Sequence, residues 1–230
     1  MRLRGEKTRQ QKNNGTKRRK TTEQQKEDSG KKQQIKQQIK QQIKQQNKTR
    51  QEEQIMDLKA TLSFDKIPNN LEEMKALPGD IASLKDPYGV VALAVLAYGV
   101  YHKDPDAALE MIKYLRGPRE LSEYDKQFIK DRFPKGTPQS EYLMKSYFEG
   151  ATPDNSYTPS MPLTIKLYEN PYSRDQFGEG YLKVFVVSGG ADTPRYVTLR
   201  TKPSTGEWFL WEESGLLPGI KTAKSADPWA

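Results

Sequence analysis

The chain has 230 residues, a net charge of +8 at neutral pH, no cysteine and a single histidine, His102. The missing cysteines exclude disulfides, thiolate nucleophiles and zinc–thiolate sites, and one histidine excludes a multi-histidine metal site. A serine triad would have to use the ring of His102. We therefore expect no catalytic residue, no metal and no cofactor, and we favour a protein that is not an enzyme.

The positive charge is confined to the first 56 residues. These hold 17 Lys and Arg against 6 Asp and Glu, whereas the rest of the chain holds 21 against 24. A mildly acidic domain lacks the basic surface with which proteins bind phosphate backbones, so we do not expect the folded part to bind nucleic acid.

Residues 1–55 form a low-complexity tail. A repeat of Gln-Gln-Ile-Lys makes a stripe too short for a coiled coil, which predicts a disordered segment or a marginal helix. Gln51-Glu52-Glu53 lies just before Met56, and an AGGAGG ribosome-binding run can encode these three residues. We therefore expect residues 1–55 to be translated leader and residues 56–230 to be a single domain, with a solvated tail as the alternative.

Two features bear on the compartment of the protein. The N-terminus has no apolar stretch after its basic residues, which argues against a secretory signal. The longest uncharged run, Pro87 to Tyr101, is shorter than the roughly 18 residues of a membrane span. We therefore expect a cytoplasmic protein that makes no contact with a membrane.

Helix signals fill residues 58–150. Asn70 precedes Glu73 at the spacing of a helix cap, and Asp86-Pro87 opens a helix that is apolar on almost every face, as is typical of a central helix. A helical turn from Asp80 and helices capped by Asp104, Ser122 and Ser140 complete a layer of about five helices. Residues 151–160 follow as a linker or crossing loop.

Between residues 161 and 220 the apolar residues recur at every second position. This period predicts strands at 163–168, 181–187, 196–200 and 207–212. The links are too short for parallel crossovers, so the four strands should form an antiparallel meander. Helices first and strands afterwards describe an α+β fold.

The fourth strand is apolar on both sides, with Trp208 and Leu210 on one and Phe209 and Trp211 on the other. One side can pack on the helices. The other needs a cover, which we expect to be a partner chain, a ligand or the C-terminal segment with its apolar residues Leu216, Leu217, Ile220 and Trp229. Tyr196, Trp208 and Trp211 are the candidate interaction surface, with sheet core as the commoner alternative.

The segment from Ser188 to Arg195 is the best candidate ligand site. Its glycines permit backbone amides to converge on an anion, and polar side chains could add contacts. The candidate ligand-binding residues are Ser188, Gly189, Gly190, Asp192 and Arg195. The alternative, which we favour, is a hairpin loop whose Asp192 satisfies its own turn while Arg195 pairs with a surface acid. His102 follows a helix, where the dipole favours it without catalysis.

Four segments resemble a family of bacterial proteins, chiefly from Gram-positive anaerobes, whose domain has no known function. They are residues 147–155, 188–195, 204–212 and 227–230. The resemblance spans roughly Leu62 to Ala230. It implies a single α+β unit in a bacterial cytoplasm with residues 1–55 outside the family, and it transfers no activity, cofactor or catalytic residue.

The favoured hypothesis for function is a non-enzymatic protein-interaction module, because a catalytic group set is missing and the last strands carry surplus aromatic surface. Its partner would be another protein or a second copy of the chain. One alternative is a small anionic ligand-binding protein or hydrolase built on the Gly189–Arg195 loop. The other is nucleic-acid binding through the basic tail.

Overall fold

The computed structural model describes residues 40, 55–227 and 229. The predictions made for the tail, that it is disordered or helical, that it is translated leader and that it could bind nucleic acid, lie outside these residues apart from Lys40 and Ile55. The fold described below belongs to the unit Glu53–Ala230. In the part of the chain so described, no helix is both long enough and apolar enough to cross a membrane.

Five α-helices follow one another between residues 71 and 145, as the sequence predicts. The cap at Asn70 is confirmed, since its Oδ1 accepts from the Glu73 amide at 2.9 Å. The caps at Asp86, Asp104 and Ser122 are confirmed in the same way. The helices are α1 (Leu71–Lys75), α2 (Pro87–Val100), α3 (Pro105–Arg116), α4 (Glu123–Arg132) and α5 (Pro138–Lys145).

The predicted cap at Ser140 is wrong. Helix α5 begins at Pro138, two residues earlier, because proline fits the first helical position where its missing N–H costs nothing. Ser140 lies inside the helix, and its Oγ donates to the Pro134 carbonyl at 2.6 Å.

The sheet has five antiparallel strands in sequence order, not the predicted four. The additional strand precedes the helices and pairs with the first predicted one, so that Phe64 lies opposite Leu163. This partner lies almost a hundred residues further along the chain, and the period-two alternation of Leu58, Ala60 and Leu62 falls in a segment that we assigned to the helices. The strands are β1 (Asp57–Phe64), β2 (Leu163–Glu169), β3 (Tyr181–Val186), β4 (Arg195–Lys202) and β5 (Glu207–Glu212).

The two faces of the sheet differ in burial. Helix α2, whose residues from Gly89 to Val100 are all buried, packs on one face, which we call the inner face. Alternate strand residues point to the opposite, outer face. The inner face is formed by Leu163, Ile165, Leu167, Leu182, Val184, Val186, Val197, Leu199, Trp208 and Leu210, all 9% exposed or less.

Candidate functional site

The loop from Ser188 to Arg195 uses its backbone donors within the protein. The Gly189 amide donates to the Ser146 carbonyl at 2.8 Å, and the Gly190 amide donates to Ser188 Oγ at 3.2 Å. The Ala191 amide donates to the Ser188 carbonyl at 3.2 Å. The amides that could have formed an anion nest are therefore already bound.

The side chains of this loop also have partners in the protein. Ser188 Oγ lies 2.7 Å from Ser146 Oγ in a buried contact. Asp192 forms an ion pair with Lys221. The structure thus brings Ser188, Gly189 and Gly190 together, and it directs Asp192 to the C-terminal segment.

Arg195 is buried and binds neutral acceptors instead of the surface acid that the sequence suggested. Its Nη1 donates to Tyr147 Oη at 3.1 Å and to the carbonyls of Leu216 and Pro218 at 3.4 and 2.5 Å. Its Nη2 donates to the Gly219 carbonyl at 2.7 Å. Burial raises the pKa of Tyr147 to about 12, although Arg195 opposes this shift. Arg195 therefore fastens the segment after β5 to strand β4.

His102 is held at the end of α2 by a hydrogen bond. Its Nδ1 lies 2.9 Å from the Gly99 carbonyl. Burial lowers the pKa of the ring, against the effect of that hydrogen bond. The lowered pKa favours the neutral ring over the cation that a dipole argument assumes, and the ring donates this hydrogen bond to the helix end.

A buried ion-pair network lies at the end of β5. Arg116 Nε donates to Glu213 Oε1 at 2.6 Å, and the two side chains are 5% and 4% exposed. The same guanidinium binds Asp125 at 3.1 Å, and Arg119 binds Glu213 at 3.2 Å. The hydrogen bond from Arg116 is the main cause that lowers the pKa of Asp125 to about 2. Glu213 thus belongs to the core, whereas its neighbour Glu212 is exposed on the outer side.

The outer face of the sheet carries an open groove of about 710 Å³. Outward-facing residues of β3, β4 and β5 form its floor, and the segment between β2 and β3 forms a wall on one side. We call it the outer groove. Its floor consists of Tyr181, Lys183, Tyr196, Thr198, Trp211 and Glu212, and its wall of Tyr172, Ser173, Asp175, Gln176 and Glu179.

The wall exists because β2 and β3 pair over a short distance. Only Leu167 with Val186 and Tyr168 with Phe185 are in register. Beyond them the chain departs from the sheet and returns to β3, where the Lys183 amide donates to the Ser173 carbonyl at 3.1 Å. The segment between residues 170 and 180 therefore flanks β3.

The start of this wall is anchored by Glu169. Its carboxylate, 5% exposed, binds Arg174 Nε at 2.7 Å. It also accepts from Tyr88 Oη at 2.5 Å, which fixes the wall to helix α2. Burial is the main cause that raises the pKa of Tyr88 to about 12, and this hydrogen bond adds to it. The wall is therefore held at its base while its acidic residues face solvent.

The aromatic rings of the floor are covered by the protein's own cations. Tyr181 and Trp211 meet edge to face at 5.6 Å between ring centroids. The Arg200 guanidinium lies 4.8 Å from the Trp211 ring and 5.2 Å from the Tyr181 ring. The Lys183 ammonium lies 4.9 Å above Tyr196. These are cation–π distances, so the floor is partly electropositive at its centre.

The predicted interaction surface is divided between the two faces. Tyr196 and Trp211 are 36% and 37% exposed on the outer side. A register shift in the β4–β5 pairing after Thr198 leaves Trp211 without an opposite residue, on the outer side with Glu212. Trp208 is 9% exposed and lies in the core, which corrects its assignment to the surface.

The described residues of the C-terminal segment, up to Asp227 and at Trp229, do not cover the outer face, contrary to one of our expectations. Leu216 and Leu217 are 0% and 2% exposed and join the core on the inner side. Ile220 packs beside the buried Tyr157, and Trp229 is 93% exposed. Among the described residues, the outer groove is consequently open to solvent.

Sequence reasoning missed Asp175 and Glu179, the acidic residues of the wall. Both are exposed. The available signal was the length of the link between β2 and β3, which is longer than a tight hairpin requires. That length reveals a loop, but it does not reveal over which face the loop folds.

Comparisons with known proteins identify a family without an assigned activity. The family model described as a domain of unknown function (DUF6935) matches residues 66–224. Neither a curated protein nor a solved structure matches the chain.

Proposed function

The chain belongs to this family of unknown function, and we propose that it is a non-enzymatic protein-interaction module that binds its partner in the outer groove. The observation that carries the proposal is the contrast between the two sheet faces. The inner face is buried under α2, whereas the outer one presents Tyr196 and Trp211 at more than a third exposure. Aromatic residues of this kind are enriched where proteins bind one another.

The composition of the groove supports a binding role. It combines aromatic rings with exposed carboxylates and amide groups, and its wall is fixed through Glu169 to a buried helix. A groove on a rigid sheet loses little conformational entropy when a ligand docks, which favours recognition. The partner is another protein or a second copy of the chain, and the same surface serves either one.

The two remaining hypotheses gain less support from the geometry. Anion binding by the Gly189–Arg195 loop would require the Gly189 and Gly190 amides and the Arg195 guanidinium to leave their partners in the protein. Nucleic-acid binding through residues 1–55 rests on the tail alone, since Asp175, Glu179 and Glu212 in the groove would repel phosphates.

Site-specific photocrosslinking in the cells that make the protein tests the proposal. The photoreactive residue p-benzoylphenylalanine replaces Tyr196 in the groove or, as a control, Tyr124 on helix α4, which is 80% exposed. We expect a discrete covalent adduct from position 196 and none from position 124. Mass spectrometry of the adduct distinguishes a different protein from a second copy of the chain. A position 196 that yields no adduct above the control would refute the proposal.

A further inference from the structure

The outer groove has three carboxylates, those of Asp175 and Glu179 on its wall and that of Glu212 on the β5 side of its floor. All three are exposed. None of them forms an ion pair with another residue in the described part of the chain. The carboxylates are therefore available to a ligand.

The one lysine that lines the groove does not neutralise these acids. The Lys183 ammonium lies over the Tyr196 ring, and no salt bridge to it occurs among the described residues. With the groove included, the part of the chain after Met56 is mildly acidic, with 24 Asp and Glu against 21 Lys and Arg. The cations of the floor, Lys183 and Arg200, lie against aromatic rings, so the unpaired carboxylates remain to attract cationic side chains of a ligand.

The floor argues against a sugar or a nucleobase as the ligand. These ligands stack on free aromatic faces. Here the Arg200 guanidinium lies against both Tyr181 and Trp211, so the rings do not offer an uncovered platform at the centre of the groove. What the groove offers instead is aromatic edges, hydroxyl groups and a carboxylate border.

The dimensions suit an extended chain of a few residues. The floor spans β3, β4 and β5, and neighbouring strands lie ~4.8 Å apart, so that a crossing covers ~10 Å. An extended peptide advances ~3.3 Å per residue and would cross the floor in about three residues. The volume of about 710 Å³ lies within the ~300–1,000 Å³ of ligand pockets and leaves room for such a segment.

We propose that the outer groove binds an extended peptide segment rich in lysine or arginine, whose cationic side chains pair with Asp175, Glu179 and Glu212 while its backbone crosses Tyr181 and Tyr196. The proposal rests on the proposed function and adds the chemical class of the partner. The acidic wall and edge select the charge of the peptide. The cation-covered rings exclude flat neutral ligands from the centre of the floor.

Fluorescence anisotropy with the full chain and labelled decapeptides tests this inference. The cationic probe alternates lysine with serine, and the anionic probe alternates glutamate with serine. We expect saturable binding of the cationic probe that weakens steeply with added salt. The basic residues 1–56 attract the anionic probe, so its binding should stay the same when the groove carboxylates are neutralised. A cationic probe that fails to bind, or whose binding is insensitive to salt, would overturn the proposal.

Two triple variants locate the binding. Asp175→Asn, Glu179→Gln and Glu212→Gln remove the charges of the groove. Asp106→Asn, Glu110→Gln and Glu120→Gln remove the same number of exposed acids from the helical side. We expect the first triple to raise the Kd for the cationic probe about tenfold, the sum of three exposed ion pairs, and the second to change it less than about twofold. An equal loss in both triples would mean non-specific attraction and would overturn the inference.

The outcome separates this inference from the proposed function. If position 196 yields a crosslinked protein but both triple variants bind the cationic probe equally well, the groove is an interaction surface for another kind of partner. Binding of maltohexaose or of a single-stranded oligonucleotide that Trp211→Ala abolishes would replace the peptide by that ligand class. Each of these results rejects the basic peptide as the ligand. The first keeps the groove as a protein-binding site, and the second assigns the groove to a different class of ligand.

Discussion

The Ser188–Arg195 loop and the outer groove are two described regions that carry polar groups suited to a binding site, and they differ in what those groups do. In the loop, the Gly189 and Gly190 amides and the Arg195 guanidinium all donate to the protein itself. In the groove, Asp175 and Glu179 are exposed. A glycine-rich polar segment can therefore serve as an internal clamp, and its residue types alone do not distinguish a clamp from a ligand site.

The largest expected effect comes from the end of the loop. Arg195→Met should lower the free energy of unfolding by about 2–4 kcal/mol, because several carbonyls near Leu216 and Gly219 lose a charged donor. Arg200→Met on the same strand removes only exposed cation–π contacts and should cost about 1 kcal/mol or less. Urea unfolding followed by circular dichroism measures both changes.

This pair of variants can also break the comparison. If Arg195→Met unfolds at the same urea concentration as the wild type, the guanidinium is not a clamp. The loop would then return as a candidate ligand site, and the contrast with the groove would disappear.

A smaller effect is expected from two glycines, one in each region. A Cβ on Gly189 would lie 2.0 Å from the Ala151 carbonyl oxygen, a backbone atom that cannot turn away. Gly189→Ala should therefore destabilise the protein by about 1–3 kcal/mol. A Cβ on Gly178 in the groove wall would meet nothing within 4 Å, so Gly178→Ala should leave the stability unchanged or raise it by up to about 1 kcal/mol.

Thermal and urea unfolding of both glycine variants provide the measurement. A destabilised Gly178→Ala would mean that the wall is packed more tightly than the groove requires. An unaffected Gly189→Ala would mean that the loop can move away from Ala151. Either result would reduce the difference between a closed loop and an open groove.

The sequence predicted the parts of the fold that local chemistry decides. A cap needs one polar side chain within three residues of an amide, and Asn70, Asp86 and Asp104 meet that condition. The apolar helix α2 and the alternation in β3 and β5 are also local patterns. These elements formed where the periodicity placed them.

The rest depended on contacts between distant residues. Strand β1 alternates like the others, but its pairing with β2 closes a loop of about a hundred residues and leaves no local mark. The partner of Arg195 could not be inferred either, because Leu216, Pro218 and Gly219 contribute only carbonyls. Every residue has such a carbonyl, so a search for partners by residue type finds acidic side chains but not these backbone acceptors.

The candidate site shows the same division. Alternation correctly put Trp208 and Trp211 on opposite sides of β5, yet it could not tell which side the helices would cover. Which face stays open depends on where α2 and the C-terminal segment pack. The wall with Asp175 depends on the point at which β2 and β3 separate, and that point follows from the register of the whole sheet.

The last expected effect depends on pH and concerns Asp125 of helix α4, which binds the buried Arg116. Its pKa is about 2 in the folded protein against an ordinary value of 3.8. Because the folded value is the lower one, Asp125 contributes stability above pH ~4, and this contribution disappears as the pH falls towards 2. The stability difference between the wild type and Asp125→Asn should therefore be largest near neutral pH and shrink on acidification.

The control for a general loss of charge is Asp131→Asn. Asp131 is an exposed residue of the same helix whose side chain accepts a hydrogen bond from Gln127. Urea midpoints at pH 7, 4 and 2.5 decide the matter, and a wild-type advantage over Asp125→Asn that stays constant across this range would contradict the ion pair with Arg116.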